Sequence, residues 1–347
     1  MILFRADGNP NIGSGHVCRC LSLADAFRRK GNDSLFVMAE EDLKPLVEER
    51  GYQTRIIGGS YDRTEEEIPV ILDLIREVKP LVFISDSYFV TTRYFLALRE
   101  AGIPLWYVDD YGKNAFPADG VLNYNVYGPK LDYVSLYERE NKKVPALLLG
   151  TQYAPLRDLY RGIPSRVINE KCKNVLISTG ASDPLRLQKQ LAEYLEMTND
   201  QDGLCFHFLL TDLNQDKDLL LSLPKREERM VFHTGLRSLK EIMMSSDLAF
   251  AASGSTLYEL CACGLPTINY ALADNQLLGC QAFYDLKLME SCHDLRGRSD
   301  LGKVIFEAIF ALAEDYPKRQ YLSQKMQECV DGFGADRFAD FVLKQGT

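Results

Sequence analysis

Residues 1–20 read MILFRADGNPNIGSGHVCRC. The apolar run Met1-Ile2-Leu3-Phe4 predicts a buried strand. Arg5-Ala6-Asp7-Gly8 ends it, and Ile12-Gly13-Ser14-Gly15-His16 forms a glycine-rich turn. Val17, Cys20, Leu21, Ala24 and Phe27 then recur at three- and four-residue intervals, which predicts a helix. Strand, glycine turn and helix bring backbone N–H groups and a helix N-terminus toward an anion. Gly13 and Gly15 fit the G-x-G of a dinucleotide turn, but Cys18 stands where the third glycine would be. His16 at the helix start can exchange protons with a substrate or water, because an imidazole titrates near neutral pH. It can equally serve as a local helix cap, and the turn alone leaves both roles open.

Working outward, strands alternate with helices. Residues 34–38, 55–57, 81–86 and 104–110 predict strands, and 42–49, 65–78 and 91–101 predict helices. Two of these strands end acidic, at Asp86 and at Asp109-Asp110. Adjacent carboxylates on a strand point to opposite faces, so one of the pair is expected to be structural. Residues 120–125 and 146–150 close this half. The polar stretch 161–173 leads to a fresh strand at 174–178, followed by Thr179-Gly180. Further strands are predicted at 204–210, 230–232, 248–252 and 264–270. Helices are predicted at 184–197, 237–245, 255–263, 275–285, 300–313 and 317–331. The alternation predicts an α/β protein of two doubly wound, Rossmann-like domains facing a central cleft. The expected domains are 1–160 and 161–347, with the last helix packing back on the first.

The second half carries its own turn, Ala252-Ser253-Gly254-Ser255-Thr256, after an apolar strand. The free N–H groups of a helix's first turn suit a phosphate, helped by the Ser255 and Thr256 hydroxyls. Glu259, one turn in, can accept both hydroxyls of a ribose or can close a capping box with Ser255 or Thr256. Asp274, Asn275 and Gln276 open the next helix, where they suit sugar hydroxyls or helix capping.

The chain has 347 residues, enough for two cores; 46% are hydrophobic and 26% charged, as in ordinary globular proteins. A net charge of −9 argues against a general nucleic-acid binder. No apolar run is long enough to span a bilayer, and the N-terminus carries neither basic n-region nor cleavage site, so a cytoplasmic location is expected. Nine cysteines without any C-x-x-C spacing predict small buried hydrophobes, not zinc ligands or a disulfide framework. His207, His233 and His293 lack a motif and are expected to be structural or surface residues.

Arg5-Ala6-Asp7, Ile12-Gly13-Ser14-Gly15-His16-Val17 and Arg19-Cys20-Leu21 resemble the start of the UDP-sugar hydrolases of pseudaminic acid biosynthesis. The resemblance continues at Asp86-Ser87-Tyr88, Val108-Asp109-Asp110, Leu122-Asn123-Tyr124-Asn125 and 149–157. It returns at Ser178-Thr179-Gly180-Ala181-Ser182-Asp183, Ser255-Thr256-Leu257-Tyr258-Glu259, Ala273-Asp274-Asn275-Gln276 and 331–335. Those enzymes hydrolyse UDP-2,4-diacetamido-2,4,6-trideoxy-β-L-altropyranose. They belong to a group of two-domain glycosyltransferase-B folds with the spore-coat polysaccharide proteins and the peptidoglycan N-acetylglucosaminyltransferase. The resemblance implies a UDP-sugar substrate with His16 as general base. No cofactor is expected, and no metal, since no Asp-x-Asp motif or carboxylate cluster stands where a cation would bridge the phosphates. The resemblance also implies that Tyr88 and Asn275 line the sugar pocket; Asp7, Gly13, Ser14, Gly15, Asp274 and Gln276 are expected among the substrate-binding residues. Ser253, Gly254, Ser255, Thr256 and Glu259 would then hold diphosphate and ribose, with Gly180 beside the uridine. The setting implied is surface-polysaccharide or flagellin glycosylation; oligomeric state has no signature here. Departures from the family pattern are Thr179-Gly180-Ala181 at the second glycine turn, Phe89 after Tyr88, and a long C-terminal tail. An inverting UDP-sugar glycosyltransferase and a non-catalytic sugar-nucleotide sensor fit the same fold.

Overall fold

A computed structural model describes the chain except residues 10, 181, 199–202, 224–228, 237 and 346–347. Ala181 of the second glycine turn and the expected helix start at 237 therefore lie outside the described residues. The chain forms two compact units: Met1–Asp158 with Gly332–Thr347, and Leu159–Asp331.

Unit 1 runs β1 (Ile2–Ala6), α1 (Gly15–Arg29), β2 (Ser34–Met38), α2 (Lys44–Glu49), β3 (Gln53–Ile56), α3 (Ile68–Val78), β4 (Val82–Asp86) and α4 (Thr92–Glu100). It continues with β5 (Leu105–Val108), β6 (Gly120–Asn123), α5 (Tyr133–Arg139) and β7 (Ala146–Leu149). The sheet order is β3-β2-β1-β4-β5-β6-β7, and every pairing is parallel. Each residue of β1, β2 and β4 is buried, which is why these strands read as unbroken apolar runs and not as alternation. Thr91 caps α4 by accepting the Tyr94 N–H at 3.1 Å.

Unit 2 runs β8 (Asn174–Ser178), α6 (Leu187–Met197), β9 (Cys205–Leu210), α7 (Lys217–Ser222), β10 (Met230–Thr234), α8 (Lys240–Ser245), β11 (Leu248–Ala252) and α9 (Thr256–Cys263). Then come β12 (Thr267–Ala271), α10 (Asp274–Asp285), β13 (Glu290–Asp294), α11 (Leu301–Glu314) and α12 (Tyr316–Cys329). Its parallel sheet is ordered β10-β9-β8-β11-β12-β13. The chain then returns to unit 1 as α13 (Gly334–Gln345).

Some boundaries and elements differ from the sequence expectation for identifiable reasons. β12 starts at Thr267 and not at 264, because Gly264 ends α9 in the left-handed conformation (φ 59°). α6 starts at Leu187 because Asp183 and Arg186 both take left-handed φ and delay the helix. The strand β13 is half-exposed Glu-Ser-Cys-His-Asp at a sheet edge, so it shows no apolar run. The short helices α5 and α7 were likewise unmarked in the pattern. The tail is α13, which packs Phe338 edge-on against Phe27 of α1 and Trp106 of β5. All nine cysteines are free thiols; burial pushes those of Cys172 and Cys263 up to about 12.

Candidate functional site

In unit 1 the strand order reverses between β1 and β4, the point at which loops leaving strand C-terminal ends commonly bind ligands in doubly wound sheets. The loop after β1 is built by its own polar residues. The Asn9 amide oxygen accepts the Asn11 and Ile12 N–H groups at 2.9 and 3.1 Å. The Gly13 N–H closes the turn on Asn9 O at 2.8 Å, with Gly13 at φ 73°. Nothing lies within 4 Å of where a Cβ on Gly13 or Gly15 would stand, so this backbone is approachable from outside. The Ser14 side chain makes no capping bond to α1.

His16, in the first turn of α1, is 7% exposed. Its Nδ1 lies 2.6 Å from Oδ1 of Asp86, the fully buried last residue of β4. An ionised carboxylate only accepts, so Nδ1 carries a hydrogen, and in the neutral ring the lone pair then lies on Nε2. The ring therefore serves a partner on another strand and does not cap its own helix.

Asp86 is held by more than His16. Arg19, one turn further along α1, donates Nε to Asp86 Oδ2 and Nη2 to Oδ1, each at 2.6 Å. Burial alone would raise the Asp86 carboxyl, yet Arg19 and His16 outweigh it and hold the group well below the usual carboxylate range. The remaining Arg19 nitrogen, Nη1, reaches both oxygens of Asp110 at 2.9 and 3.0 Å. Asp110 in turn accepts the Tyr88 hydroxyl at 2.6 Å and the Asn125 amide at 2.8 Å. Burial raises the Asp110 carboxyl as well, and Arg19 and Tyr88 bring it below its ordinary value. Tyr88 is 43% exposed and its ring stands edge-on to His16, with centroids 4.6 Å apart. Burial and the neighbouring Asp110 keep its phenol protonated.

Asp109 is the structural member of the pair expected at this strand end. Its two oxygens accept the Tyr111 and Gly112 N–H groups at 2.9 Å each, and Tyr133 donates its hydroxyl at 2.8 Å. Asp7, expected to face substrate, is instead 3% exposed. One of its oxygens takes the Ala39 N–H at 2.7 Å and the other takes Arg5, which also forks onto Glu67. A buried carboxylate so engaged anchors the loop; it does not present itself to a sugar.

In unit 2 the order reverses between β8 and β11, and the loops expected at the uridine and at the diphosphate both leave that point. Gly180 (φ 81°) and Gly254 have open space at the Cβ position. The Ser253 N–H is spent on Tyr270 O (2.9 Å) and the Gly254 N–H on Ala252 O (2.8 Å), so neither amide of this turn is free for an anion. The Ser253 hydroxyl oxygen is buried with no hydrogen-bond partner among the described residues. Ser255 precedes α9 without a side-chain capping bond, and Thr256 and Glu259 sit in the helix's first turn. At the start of α10, Asp274 pairs with Arg296 at 2.7 Å and the Gln276 side chain caps the Leu272 N–H at 3.0 Å. Asn275 is exposed beside them.

The structure thus gathers His16 and Tyr88 in unit 1, and Gly180 with Ser253–Glu259 in unit 2. Arg19, Asp86, Asp110 and Asn125 were not expected as site residues. Their sequence signals were the acidic strand ends at Asp86 and Asp109-Asp110, and an arginine three residues after His16 on the apolar side of α1. Among the described residues no helix is long and apolar enough to cross a membrane.

Two parallel, helix-covered sheets with glycine turns at both strand-order reversals define a two-domain α/β protein with the fold of the glycosyltransferase-B structures. MurG of Acinetobacter baumannii superposes with a TM-score of 0.71 at 13% identity, over 99% of both chains. A UDP complex of Staphylococcus aureus MnaA gives 0.66 at 13% identity, over 99% of this chain and 96% of that one. No family model matches the sequence. An uncharacterized protein of Methanocaldococcus jannaschii is 27% identical over 83% of this chain and 56% of its own length. The spore coat polysaccharide biosynthesis protein SpsG of Bacillus subtilis is 21% identical over 96% and 94%. The UDP-2,4-diacetamido-2,4,6-trideoxy-β-L-altropyranose hydrolase of Campylobacter jejuni is 27% identical over 57% and 66%. The chain thus spans little more than half of the first of these proteins and about two thirds of the last. The resemblance read from the motifs is borne out by these relatives.

Proposed function

We propose that the protein hydrolyses a UDP-activated amino sugar at its anomeric carbon, releasing UDP and the free sugar with inversion. The observation that carries this reading is the His16–Asp86 pair, a 2.6 Å contact through Nδ1 that supports Nε2 of the neutral, buried imidazole as the proton acceptor. Nε2 takes a proton from water while the water oxygen bonds to the anomeric carbon. The bond from that carbon to the UDP oxygen breaks, and UDP leaves with the electron pair. Asp86 keeps the ring oriented and offsets the charge it gains. UDP needs no strong acid to depart, because its charge is spread over the diphosphate and met by helix N-terminal N–H groups. In this reading α9's first turn with Thr256 and Glu259 holds diphosphate and ribose, Gly180 lies by the uridine, and Tyr88 and Asn275 meet the sugar. The named relatives support the sugar class, a diacetamido-trideoxyhexose.

The test is UDP release from a panel of UDP-sugars without acceptor. His16→Ala is expected to lose a hundredfold or more in turnover, on the order of a general base's contribution, with UDP affinity kept. Release that appears only when an acceptor alcohol is added would make the protein a transferase. UDP binding with no turnover in any mixture would leave a sensor.

A further inference from the structure

We propose that Arg19 and Asp110 are positioning residues of the base, a cation and a carboxylate that fix the direction and the net charge of the His16–Asp86 pair. This rests on the reading of His16 as base and adds to it.

The geometry is specific. Arg19 is 9% exposed and spends all three guanidinium nitrogens on two carboxylates from different strand ends. A planar fork on Asp86 leaves that carboxylate a single orientation, the one that puts Oδ1 against His16 Nδ1. Lysine, a point charge, would hold Asp86 without fixing its plane. Asp110 stops Arg19 from swinging. Through the Tyr88 hydroxyl it also sets the ring that stands edge-on to His16. The tie spans four strand ends: α1 after β1, Asp86 on β4, Asp110 after β5, and Tyr124 and Asn125 after β6. Tyr124 accepts from Arg19 Nη1 at 3.3 Å.

The charges facing His16 within this unit are Asp86, Arg19 and Asp110. The other titratable neighbours are Tyr88, Tyr124 and Cys20, whose thiol donates to Asp86 Oδ2 at 3.5 Å. With the phenols and thiol neutral, two carboxylates and one guanidinium leave one negative charge beside the imidazole. Removing the cation leaves two negative charges and favours the protonated ring; removing Asp110 leaves none and favours the neutral ring. The two changes therefore move the acid limb of the pH–rate profile in opposite directions.

The experiment measures UDP release against pH for the wild type and for Arg19→Met, Arg19→Lys, Asp110→Asn and the Arg19→Met/Asp110→Asn double variant. Each rate is divided by the folded fraction from a thermal melt. For Arg19→Met the acid limb is expected about half a unit or more higher. Its kcat is expected roughly tenfold or more lower, with KM changed far less. Asp110→Asn is expected to move the limb lower, the double variant to return it close to the wild type, and Arg19→Lys to restore the limb but only part of kcat. Acid limbs that stay in place, with rates falling only with folded fraction, overturn the proposal. If Arg19→Met does not fold, Asp110→Asn and Arg19→Lys decide. A wild type that releases no UDP, or an acid limb that survives His16→Ala, overturns the reading of the base and this proposal with it. A normal wild type, a dead His16→Ala variant and unmoved limbs overturn this proposal alone.

Discussion

Asp86 shows how one buried side chain joins stability to chemistry. It is fully buried, and what keeps it ionised is the Arg19 fork and the His16 N–H. Asp86→Asn preserves shape but can offer an amide N–H to Nδ1, which forces the ring's hydrogen onto Nε2 and removes the acceptor. Turnover is therefore expected to fall by roughly a thousandfold or more, as in other histidine–aspartate pairs, with UDP affinity unchanged. A variant with near-normal turnover would show that His16 is not oriented by Asp86. Stability carries the same signature. A carboxyl whose folded pKa is depressed stabilises fully above its unfolded value, near 4, and that stability is lost as pH falls through the folded value. Unit 1 is thus expected to lose stability below about pH 4, more steeply in the wild type than in Asp86→Asn.

Elements carry two further predictions. The first concerns α13, whose apolar face buries Phe338 completely against Trp106, the one tryptophan of the chain. Its start is fixed by Gly334: a Cβ there would stand 2.3 Å from Ala154 O. Phe338→Ala is expected to cost about 3–5 kcal/mol and to shift Trp106 emission to longer wavelength as α13 loosens. An unchanged melting temperature and spectrum would show that the helix does not depend on this contact. The second concerns β9 and β10, where His207 Nδ1 meets His233 Nε2 at 3.0 Å. Burial lowers both imidazoles, with His233 adding to the shift at His207. A base whose folded pKa is lowered binds protons more readily when unfolded. Stability from this pair is therefore complete above about pH 6.5 and declines below it toward the folded values. Melting curves of the wild type and His233→Gln between pH 7.5 and about 5 are expected to converge on the acid side. Parallel curves would remove the pair from the acid response. His207 and His233 thus prove to be partners of each other, a pairing that their 26-residue separation hides from any local motif.

The same distinction explains what the chain disclosed before folding. Fully buried parallel strands such as β1, β4 and β11 announce themselves, because both faces need apolar residues. His16 and Tyr88 lay in short motifs that could be read in place. β13 could not be read, since an edge strand of Glu-Ser-Cys-His-Asp has no buried face to mark it. Nor could the Arg19–Asp110 contact, which joins residues 91 apart. Asp7 misled because a carboxylate beside a glycine loop reads alike whether it faces a ligand or anchors the loop to Arg5 and Ala39.

Across the whole molecule the two units differ in how they use the chain. Unit 1 is closed only when 332–347 return to it, whereas unit 2 is one continuous segment, Leu159–Asp331. The polar stretch 161–173 is no loose connector. Arg319 donates to the carbonyls of Asn169 and Glu170 at 2.8 and 2.7 Å. Asp247 accepts the Asn169 amide and the Lys173 and Asn174 N–H groups. Arg166 gathers carbonyls from the C-terminal ends of α8 and α9. A fragment must therefore begin near 159, not at the first residue of β8, to keep these anchors. Residues 159–331 have their own six-stranded sheet and core, and both loops at the strand-order reversal lie inside them. Expressed alone, this fragment is expected to fold cooperatively and to bind UDP within about threefold of the full chain's affinity. Binding is expected to persist in a chelator, since in the proposed reading the diphosphate charge is met by helix N-terminal N–H groups and hydroxyls and not by a metal. Glu259→Ala in the same fragment is expected to weaken UDP while sparing the fold. The complementary piece 1–158 lacks the helix that covers Phe27 and Trp106, so it is expected to melt early unless 332–347 are restored in trans. Calorimetric titration of the fragment with UDP decides the first claim. A folded fragment that does not bind UDP would move the nucleotide site out of this unit.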